Sequence, residues 1–448
     1  MHDSIFKAYD IRGTWPDQIN ADDGYAIARA YAEVIKPQKS VVVGYDVRVH
    51  SQELADKVIE GLVDAGINVI AIGLVSTEMM YFAVGHLEAG GGIQVTASHN
   101  PPEWHGMKMV RAQAAPISGE TGLTEIKAAA LANKFAPSPA HGTVTQRDVL
   151  NDYIDFVIKW IDQAAIKPLK VVYNPNFGFE GKLLEALVAR TKLPLTIIPL
   201  NAEPDGTFPK GRPDPFVPEN RPEFVELVKS SKADLGVAWD ADADRVFFCA
   251  EDGIFLEPYY TNALLIEQIL KKHPGGKIVY DPRYTWALID VTKRFKGEPV
   301  PARVGHSYIK TKMREVDAVF SGESSGHTYF RDFWYADTGI IPLLLILELL
   351  SKSGKKLSEL TKPYLDQYPI SGEINSTVSD VETVLKKIEE RYSGAKIDHF
   401  DGLTIEHDAW RANIRASNTE PLLRLNVEAK NHALMEKMRD ELLAIIRA

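Results

Sequence analysis

Cysteine is almost missing from this chain: Cys249 is the only one in 448 residues. A single thiol excludes an intramolecular disulfide, and its place in the apolar run Val246-Phe247-Phe248-Cys249 reads as core packing rather than chemistry. Positive charge is also in deficit, with 51 Lys and Arg against 61 Asp and Glu and a formal net charge of −10. That balance argues against a nucleic-acid or anionic-membrane partner, and any anionic substrate must be held by local cations working against the global field. Long apolar runs are lacking as well. The greasiest stretch, residues 340–350, is too short to span a bilayer and carries Pro342 and Glu348, and residues 1–10 hold no apolar signal core. A reducing cytoplasm is the expected setting. There is no low-complexity segment, and nothing implies an obligatory protein partner.

What the chain does have is a dense acidic loop. Asp240, Asp242 and Asp244 alternate with alanine, and Arg245 and a strand-like run follow. Carboxylates this close repel one another unless a hard, oxygen-preferring cation neutralises them, so the spacing points to Mg²⁺ or Ca²⁺. The calcium loop of an EF-hand has the same opening, and Glu251 falls at its twelfth position. Its sixth position, however, requires glycine for a sharp turn, and Arg245 stands there before four residues of strand propensity. A solvated acidic turn is the plainer alternative.

A second motif lies far upstream. Thr96-Ala97-Ser98-His99-Asn100-Pro101-Pro102 follows the strand-like Gly92-Ile93-Gln94-Val95. Prolines forbid helix here, so Ser98 is expected on an exposed loop, where it is a candidate nucleophile. His99 and Lys108 lie close enough in sequence to supply proton transfer and positive charge. An ordinary Asn-Pro turn explains the same residues without chemistry.

The length implies several domains. Strand-like and helix-like segments alternate as in α/β proteins: Val41-Val42-Val43-Gly44, then a helical face of Leu54, Val58 and Leu62, then Val69-Ile70-Ala71-Ile72. A linker-like run, Ala136-Pro137-Ser138-Pro139-Ala140-His141-Gly142, ends the first unit. A second begins with a helix around residues 153–161, continues through Leu169-Lys170-Val171-Val172-Tyr173, and closes on Leu235-Gly236-Val237-Ala238 just before the acidic loop. That places the loop at a strand end, where α/β sheets bind ligands. A third carries Lys277-Ile278-Val279-Tyr280 and Ala318-Val319-Phe320. Beyond Pro363 and Pro369, short strands flanked by amphipathic helices at 381–391 and 435–446 indicate a separate α+β domain.

Five motifs occur in order: Tyr9-Asp10-Ile11-Arg12-Gly13, the Ser98 segment, the triple-Asp loop with Arg245, Gly322-Glu323-Ser324-Ser325-Gly326-His327, and Arg415-Ala416-Ser417-Asn418-Thr419-Glu420-Pro421. On these motifs the chain resembles the α-D-phosphohexomutases over essentially its whole length, and the bacterial phosphomannomutase branch in particular. The resemblance implies three consecutive α/β domains with mixed sheets around a central cleft, plus a C-terminal α+β domain, at 1–140, 141–247, 248–362 and 363–448. It further implies interconversion of mannose 6-phosphate and mannose 1-phosphate through a phosphoserine enzyme and a hexose 1,6-bisphosphate that also serves as activator. Glucose phosphates are the alternative or additional substrates, and a non-catalytic sugar-phosphate sensor is the remaining reading. A phosphatase is a further rival class, opposed by the lack of a second aspartate cluster.

The same resemblance assigns roles. Ser98 is the phosphoserine, and Asp240, Asp242 and Asp244 hold Mg²⁺ together with an oxygen of phospho-Ser98. Arg245 neutralises charge developing on the phosphoryl oxygens or closes the acidic loop by a salt bridge, and both can hold. Lys108 is a general base only if its surroundings depress its pKa, Arg12 a phosphate clamp, and His99 either a relay or a loop-stabilising group. Glu323 and Ser325 grip sugar hydroxyls, with Tyr9, His306, His327 and Arg283 nearby, the last standing where relatives often have lysine. Arg415, Ser417, Asn418 and Thr419 receive the non-reacting phosphate. One departure is visible: Ala241 and Ala243 are the spacers of the acidic loop where the family usually has glycine at the first, so a spacer needing positive φ is strained.

Overall fold

The computed structural model describes residues 1–416 and 422–448. They form two compact units, Met1–Phe255 with Gly326–Gly354, and Leu256–Ser325 with Lys355–Ala448.

The first unit contains a six-stranded mixed sheet with spatial order Ile11–Thr14, Trp104–Arg111, Gly91–Val95, Val41–Tyr45, Val69–Leu74 and Val144–Gln146. Trp104–Arg111 runs antiparallel to both of its neighbours, and the remaining pairs are parallel. Helix Ser51–Asp64 buries Leu54, Val58 and Leu62 against it, the face expected from their spacing. Each such side chain contributes about 1.5–3 kcal/mol relative to exposure. Helix Ala21–Ile35 begins in a reciprocal capping box between Asn20 and Asp23, which satisfies two free N–H groups of its first turn.

A second sheet in this unit orders Val246–Ala250, Leu235–Trp239, Leu169–Asn174 and Leu195–Pro199, antiparallel at the first pair and parallel at the others. The acidic loop is therefore the turn joining two antiparallel neighbours, at the C-terminal end of Leu235–Trp239. The helix expected around 153–161 starts earlier, at Leu150, where Asp148 accepts from the Leu150 N–H at 2.9 Å, and it ends as a 3₁₀ turn at Ile158–Trp160. The apolar stretch at 340–350 is a buried helix, Ile340–Ser353. Among the described residues no helix is long and apolar enough to cross a membrane.

In the second unit, Glu298–Pro301, Lys277–Tyr280 and Phe320–Gly322 pair in parallel. The chain's C-terminal part forms an antiparallel sheet in the order Ile374–Thr377, Leu422–Ala429, Trp410–Ala416, Leu403–Glu406 and Lys396–Asp398, packed by helices Val381–Arg391 and His432–Ile446. Buried Glu428 ties this sheet to the loop that carries Arg283. Its carboxylate accepts from Tyr259 Oη at 2.8 Å and from the backbone N–H groups of Thr285 and Trp286 at 2.8 and 3.2 Å, and it pairs with Arg411 at 3.5 Å.

Candidate active site

Strand Gly91–Val95 delivers its chain end to the Ser98 loop. The Thr96 hydroxyl accepts from the Ser98 N–H at 2.8 Å, and Ser98 is held at φ 49°, the left-handed region that non-glycine residues avoid. Contrary to the expected exposed loop, Ser98 is only 2% exposed. The physical reason is that the loop is tied down by its own carbonyls as well as by the serine: Arg48 Nη2 donates to the carbonyls of Ser98 and Asn100, both at 2.6 Å.

The Ser98 Oγ donates to Asp240 Oδ2 at 2.9 Å, which brings together the two motifs read separately in the sequence. Lys108, on the neighbouring strand Trp104–Arg111, reaches the same loop. Its Nζ contacts Asp242 Oδ2 at 2.6 Å and also Asp244 Oδ2. Arg245 Nε donates to Asp240 Oδ2 at 2.9 Å, and its Nη2 lies 3.2 Å from Asp214. The loop-closing salt bridge is thus real, and the same guanidinium remains beside Ser98's partner carboxylate. His327 Nε2 stands 3.5 Å from Asp244 Oδ1. Arg12 is held by Asp10 at 2.7 Å and donates to Asn100 Oδ1 at 2.6 Å, so it braces the Ser98 loop from another side.

Two contacts seat the acidic loop. The Thr77 hydroxyl donates to Asp242 Oδ2 at 2.6 Å and the Thr77 N–H to the Asp242 carbonyl at 2.9 Å, so the positive end of helix Thr77–His86 faces the carboxylates. A Cβ on Gly178 would collide with the Ala241 carbonyl, so only glycine lets that backbone approach. The strained spacer is Ala243, at φ 61°, while Ala241 is not among the positive-φ residues. The strain expected of a spacer in positive φ thus falls on the second spacer.

Burial pushes the Asp240 carboxyl up to about 7; Arg245 opposes the rise, and Asp244 and Asp242 reinforce it. Burial alone would lower the Lys108 ammonium, yet Asp242 and Asp244 outweigh it and hold the group well above its ordinary value. Lys108 is then a fixed charge rather than a base. His99 moves the other way: burial first, then Arg245, Arg12 and Arg212, keep its imidazole well below the usual range and so neutral. Its Nδ1 is 3.2 Å from Ser98 Oγ.

A divalent ion fits this loop. Asp242 Oδ1 is buried with no hydrogen-bond partner, and ligand atoms of Asp240, Asp242 and Asp244 lie within 4.8 Å of one another. Few carboxylates with room for a phosphate oxygen is the donor set that Mg²⁺ prefers. A second group, Asp244 with His327 and Asp337, is equally compact but mixes nitrogen with oxygen, which suits softer ions.

In the second unit, Glu323 is buried, and its Oε1 lies 3.4 Å from Arg283 Nη2 and 3.3 Å from the Gly305 N–H. Arg283 also makes a two-pronged pair with Asp281 at 2.9 and 3.0 Å. The Arg283 guanidinium is therefore anchored by carboxylates. Ser325 is half-buried beside Glu323 in the chain, and His306 opens helix His306–Val316 directly after Gly305. Arg415 Nε is 3.6 Å from Asp401. Ser417, Asn418 and Thr419 lie outside the described residues. Tyr9 is half-buried in the first unit.

Domain models of phosphoglucomutase/phosphomannomutase match in order along the chain: α/β/α domains I, II and III at residues 3–137, 151–253 and 257–368, and the C-terminal domain at 373–445. The chain belongs to the phosphoglucomutase/phosphomannomutase family. Among its relatives, a phosphomannomutase of Escherichia coli is 45% identical over 453 residues, covering 99% of each chain. A protein of Xanthomonas campestris called phosphohexose mutases is 43% identical over 445 residues, again covering 99% of each. A phosphoglucomutase/phosphomannomutase family protein of Burkholderia thailandensis has a solved structure that superposes with a TM-score of 0.89 at 31% identity, over 100% of this chain and 98% of that one. The Paramecium phosphoglucomutase parafusin, at 19% identity and TM-score 0.81 over 98% and 95%, shares the fold. Three α/β domains with mixed sheets and a C-terminal domain are the family architecture, and the chain is an enzyme of the phosphohexomutase class.

Several residues that hold this cluster together were not legible in the sequence. Thr77, Arg48, Arg212 and Asp214 each act through contacts to backbone or to residues far along the chain, and none stands in a motif whose spacing implies chemistry. Asp214 bridges Arg212 at 2.8 Å and Arg245 at 3.2 Å, and Arg212 Nε donates to the His99 carbonyl at 3.2 Å. A Pro213-Asp214-Pro215 turn gave the only signal, and it reads as a loop.

Proposed function

We propose that this enzyme interconverts mannose 6-phosphate and mannose 1-phosphate through phospho-Ser98 and a hexose 1,6-bisphosphate intermediate. The observation that carries the reading is Ser98 Oγ at 2.9 Å from Asp240, inside a carboxylate cluster that calls for a cation. Phosphomannomutases at 45% identity over nearly the whole chain support the choice of sugar.

In the first transfer the bond from phosphorus to Ser98 Oγ breaks, a bond forms to the free C1 or C6 hydroxyl oxygen, and the proton of that hydroxyl ends on Ser98 Oγ. In the second, the bond from the other phosphoryl group to its sugar oxygen breaks, that group bonds to Ser98 Oγ, and the serine proton ends on the sugar oxygen left behind. Neutral His99, 3.2 Å from Ser98 Oγ, is placed to hold or release this proton. Lys108 and Arg245, permanently charged, lower the cost of negative charge spread over the phosphoryl oxygens. Asp240, Asp242 and Asp244 would hold Mg²⁺, which would supply Lewis-acid stabilisation of the same charge. Glu323 and Ser325 grip the C3–C4 hydroxyls, Arg283, His306, His327 and Tyr9 line the sugar's approach, and Arg415 with Ser417, Asn418 and Thr419 holds the idle phosphate. Hexose 1,6-bisphosphate primes dephosphorylated enzyme. The domain division at 1–140, 141–247, 248–362 and 363–448 belongs to this reading, as does a cytoplasmic setting, which the single cysteine favours.

Side-by-side kinetics on three sugars test it. Glucose phosphates, epimeric at C2, should be accepted with a kcat/KM penalty of about 10–100-fold or less, the scale of one weak contact. Galactose phosphates, epimeric at C4, should fare much worse, because a buried carboxylate left without its hydroxyl is costly. Equal rates with the C4 epimer would refute the Glu323 and Ser325 assignment.

A further inference from the structure

Arg48 is buried, with a side chain wholly screened from solvent, and all its donors point at the backbone of the Ser98 loop or at Asp46. Nη2 donates to the carbonyls of Ser98 and Asn100, both at 2.6 Å, and Nη1 to those of Pro101 and Trp104 at 2.7 and 2.9 Å. Four carbonyls converging on one guanidinium is a demanding arrangement. It uses both terminal nitrogens in a planar fork that lysine cannot reproduce. Nε faces Asp46 at 3.3 Å, and Asp46 is itself fixed by the Ser51 hydroxyl at 2.5 Å and by the Arg48 N–H at 3.0 Å. The guanidinium lies 4.9 Å from the centre of the Phe208 ring, and Arg48 forms an isolated parallel bridge with Gly206. A Cβ on Gly206 would run into the Val47 carbonyl, so glycine is what lets that loop lie against Arg48.

The bonded segment is the one in which Ser98 holds its left-handed φ of 49°. Such a conformation persists only where its surroundings over-determine it. We propose that Arg48 is the positioning residue that sets the Ser98 loop, so that Oγ meets the acidic loop at transfer distance. This rests on the reading of Ser98 as the phosphoryl carrier. The terminal nitrogens of Arg48 are taken up by these carbonyls and Nε faces Asp46, so none is turned toward the Ser98 hydroxyl. Arg48 acts through the carbonyls of the loop, and its partners Phe208 and Gly206 belong to the stretch that also carries Arg212, which donates to the His99 carbonyl at 3.2 Å.

The test compares Arg48→Lys and Arg48→Ala with the parent in full-length enzyme loaded with Mg²⁺. Arg48→Lys should lose about 10²-fold in kcat, the effect of an ångström-scale misplacement, while KM for mannose 1-phosphate stays within about threefold. Guanidinium ion added to Arg48→Ala below denaturing concentration should recover at least about 10-fold of the lost kcat, because it can refill the fork between the carbonyls. It should do nothing for Asp240→Asn. Parental kcat in Arg48→Lys overturns the proposal. So does a loss shared equally between kcat and substrate affinity, an Arg48→Ala that guanidinium leaves unchanged, or an Arg48→Lys that does not fold, which would make Arg48 a residue of stability alone. Peptide mapping of the parent separates the two layers. Phosphoryl found away from Ser98 removes the underlying reading, whereas phospho-Ser98 in the parent with unaffected Arg48 variants removes only this one.

Discussion

The acidic loop and the Arg283–Glu323 pair are both buried clusters of opposite charges, yet they are balanced differently. In the second unit both carboxylates of the cluster have found a cation or an N–H: Asp281 is gripped twice by Arg283, and Glu323 is met by Arg283 and Gly305. In the first, Lys108 and Arg245 face three aspartates, one oxygen of Asp242 has no partner, and Asp240 is pushed up to about 7. A saturated cluster is organised for recognition, since a sugar hydroxyl can exchange with an existing donor at modest cost. An unsaturated one calls for a further cation, and with it the means to stabilise a transferring phosphoryl group.

The contrast can be broken by mutation. Asp242→Asn should lower kcat by about 10²–10³-fold with little change in KM, since it removes charge from the unsaturated cluster, and chelation should abolish activity. Full activity in excess chelator would erase the distinction. Glu323→Gln should show the opposite split. Here KM rises by about 10–100-fold and discrimination against the C4 epimer narrows, while single-turnover phosphorylation of Ser98 by bisphosphate at saturation is nearly unchanged. A kcat loss matching that of Asp242→Asn would put Glu323 in the chemistry instead.

Smaller effects sharpen the frame that supports the acidic loop. Glu78, next to Thr77, accepts from the Gly339 N–H at 2.6 Å, and buried Glu180 is close enough to feel its charge. Burial raises both carboxyls above their ordinary value; hydrogen bonds from Thr338, Tyr153 and the Gly339 and Ile340 N–H groups oppose the rise at Glu78, whereas the Glu78 charge adds to it at Glu180. A raised carboxyl gives stability that is complete below its unfolded pKa and is lost as pH rises through the folded one. In thermal unfolding, stability should therefore fall as pH rises from the ordinary glutamate value of about 4.5, and Glu180→Gln should flatten that slope. Ala243→Gly, which relieves a left-handed alanine at φ 61°, should stabilise by about 1 kcal/mol in denaturant unfolding and leave kcat close to its parental value. A loss of stability there would mean the strain is compensated locally.

Much of the fold was legible because it is periodic. Lys277–Tyr280, helix Val381–Arg391 and the strand end at Leu235–Trp239 follow from alternation and spacing alone, and they place the acidic loop where a ligand binds. The Ser98, Asp240 and Lys108 cluster was legible as separate motifs, joined only by the family resemblance. What could not be read is what depends on tertiary contact to backbone. Arg48 reaches carbonyls some fifty positions away, and its side-chain partner Asp46 stands only two residues off, which says nothing of that reach. The burial of Ser98 follows from that contact, so the prolines announced a loop but not its cover. Positive φ at Ala243 rather than Ala241 is set by how the turn is seated on Thr77 and Gly178, which spacing does not encode.

The most direct measurement is intact mass and peptide mapping of full-length enzyme before and after hexose 1,6-bisphosphate. One phosphoryl group, located on Ser98 and discharged by mannose 1-phosphate, is the expected result, with Ser98→Ala taking no label and losing nearly all turnover while still binding sugar phosphate. Label on another residue, or steady turnover by Ser98→Ala, would contradict phosphoryl transfer through Ser98 beside the acidic loop.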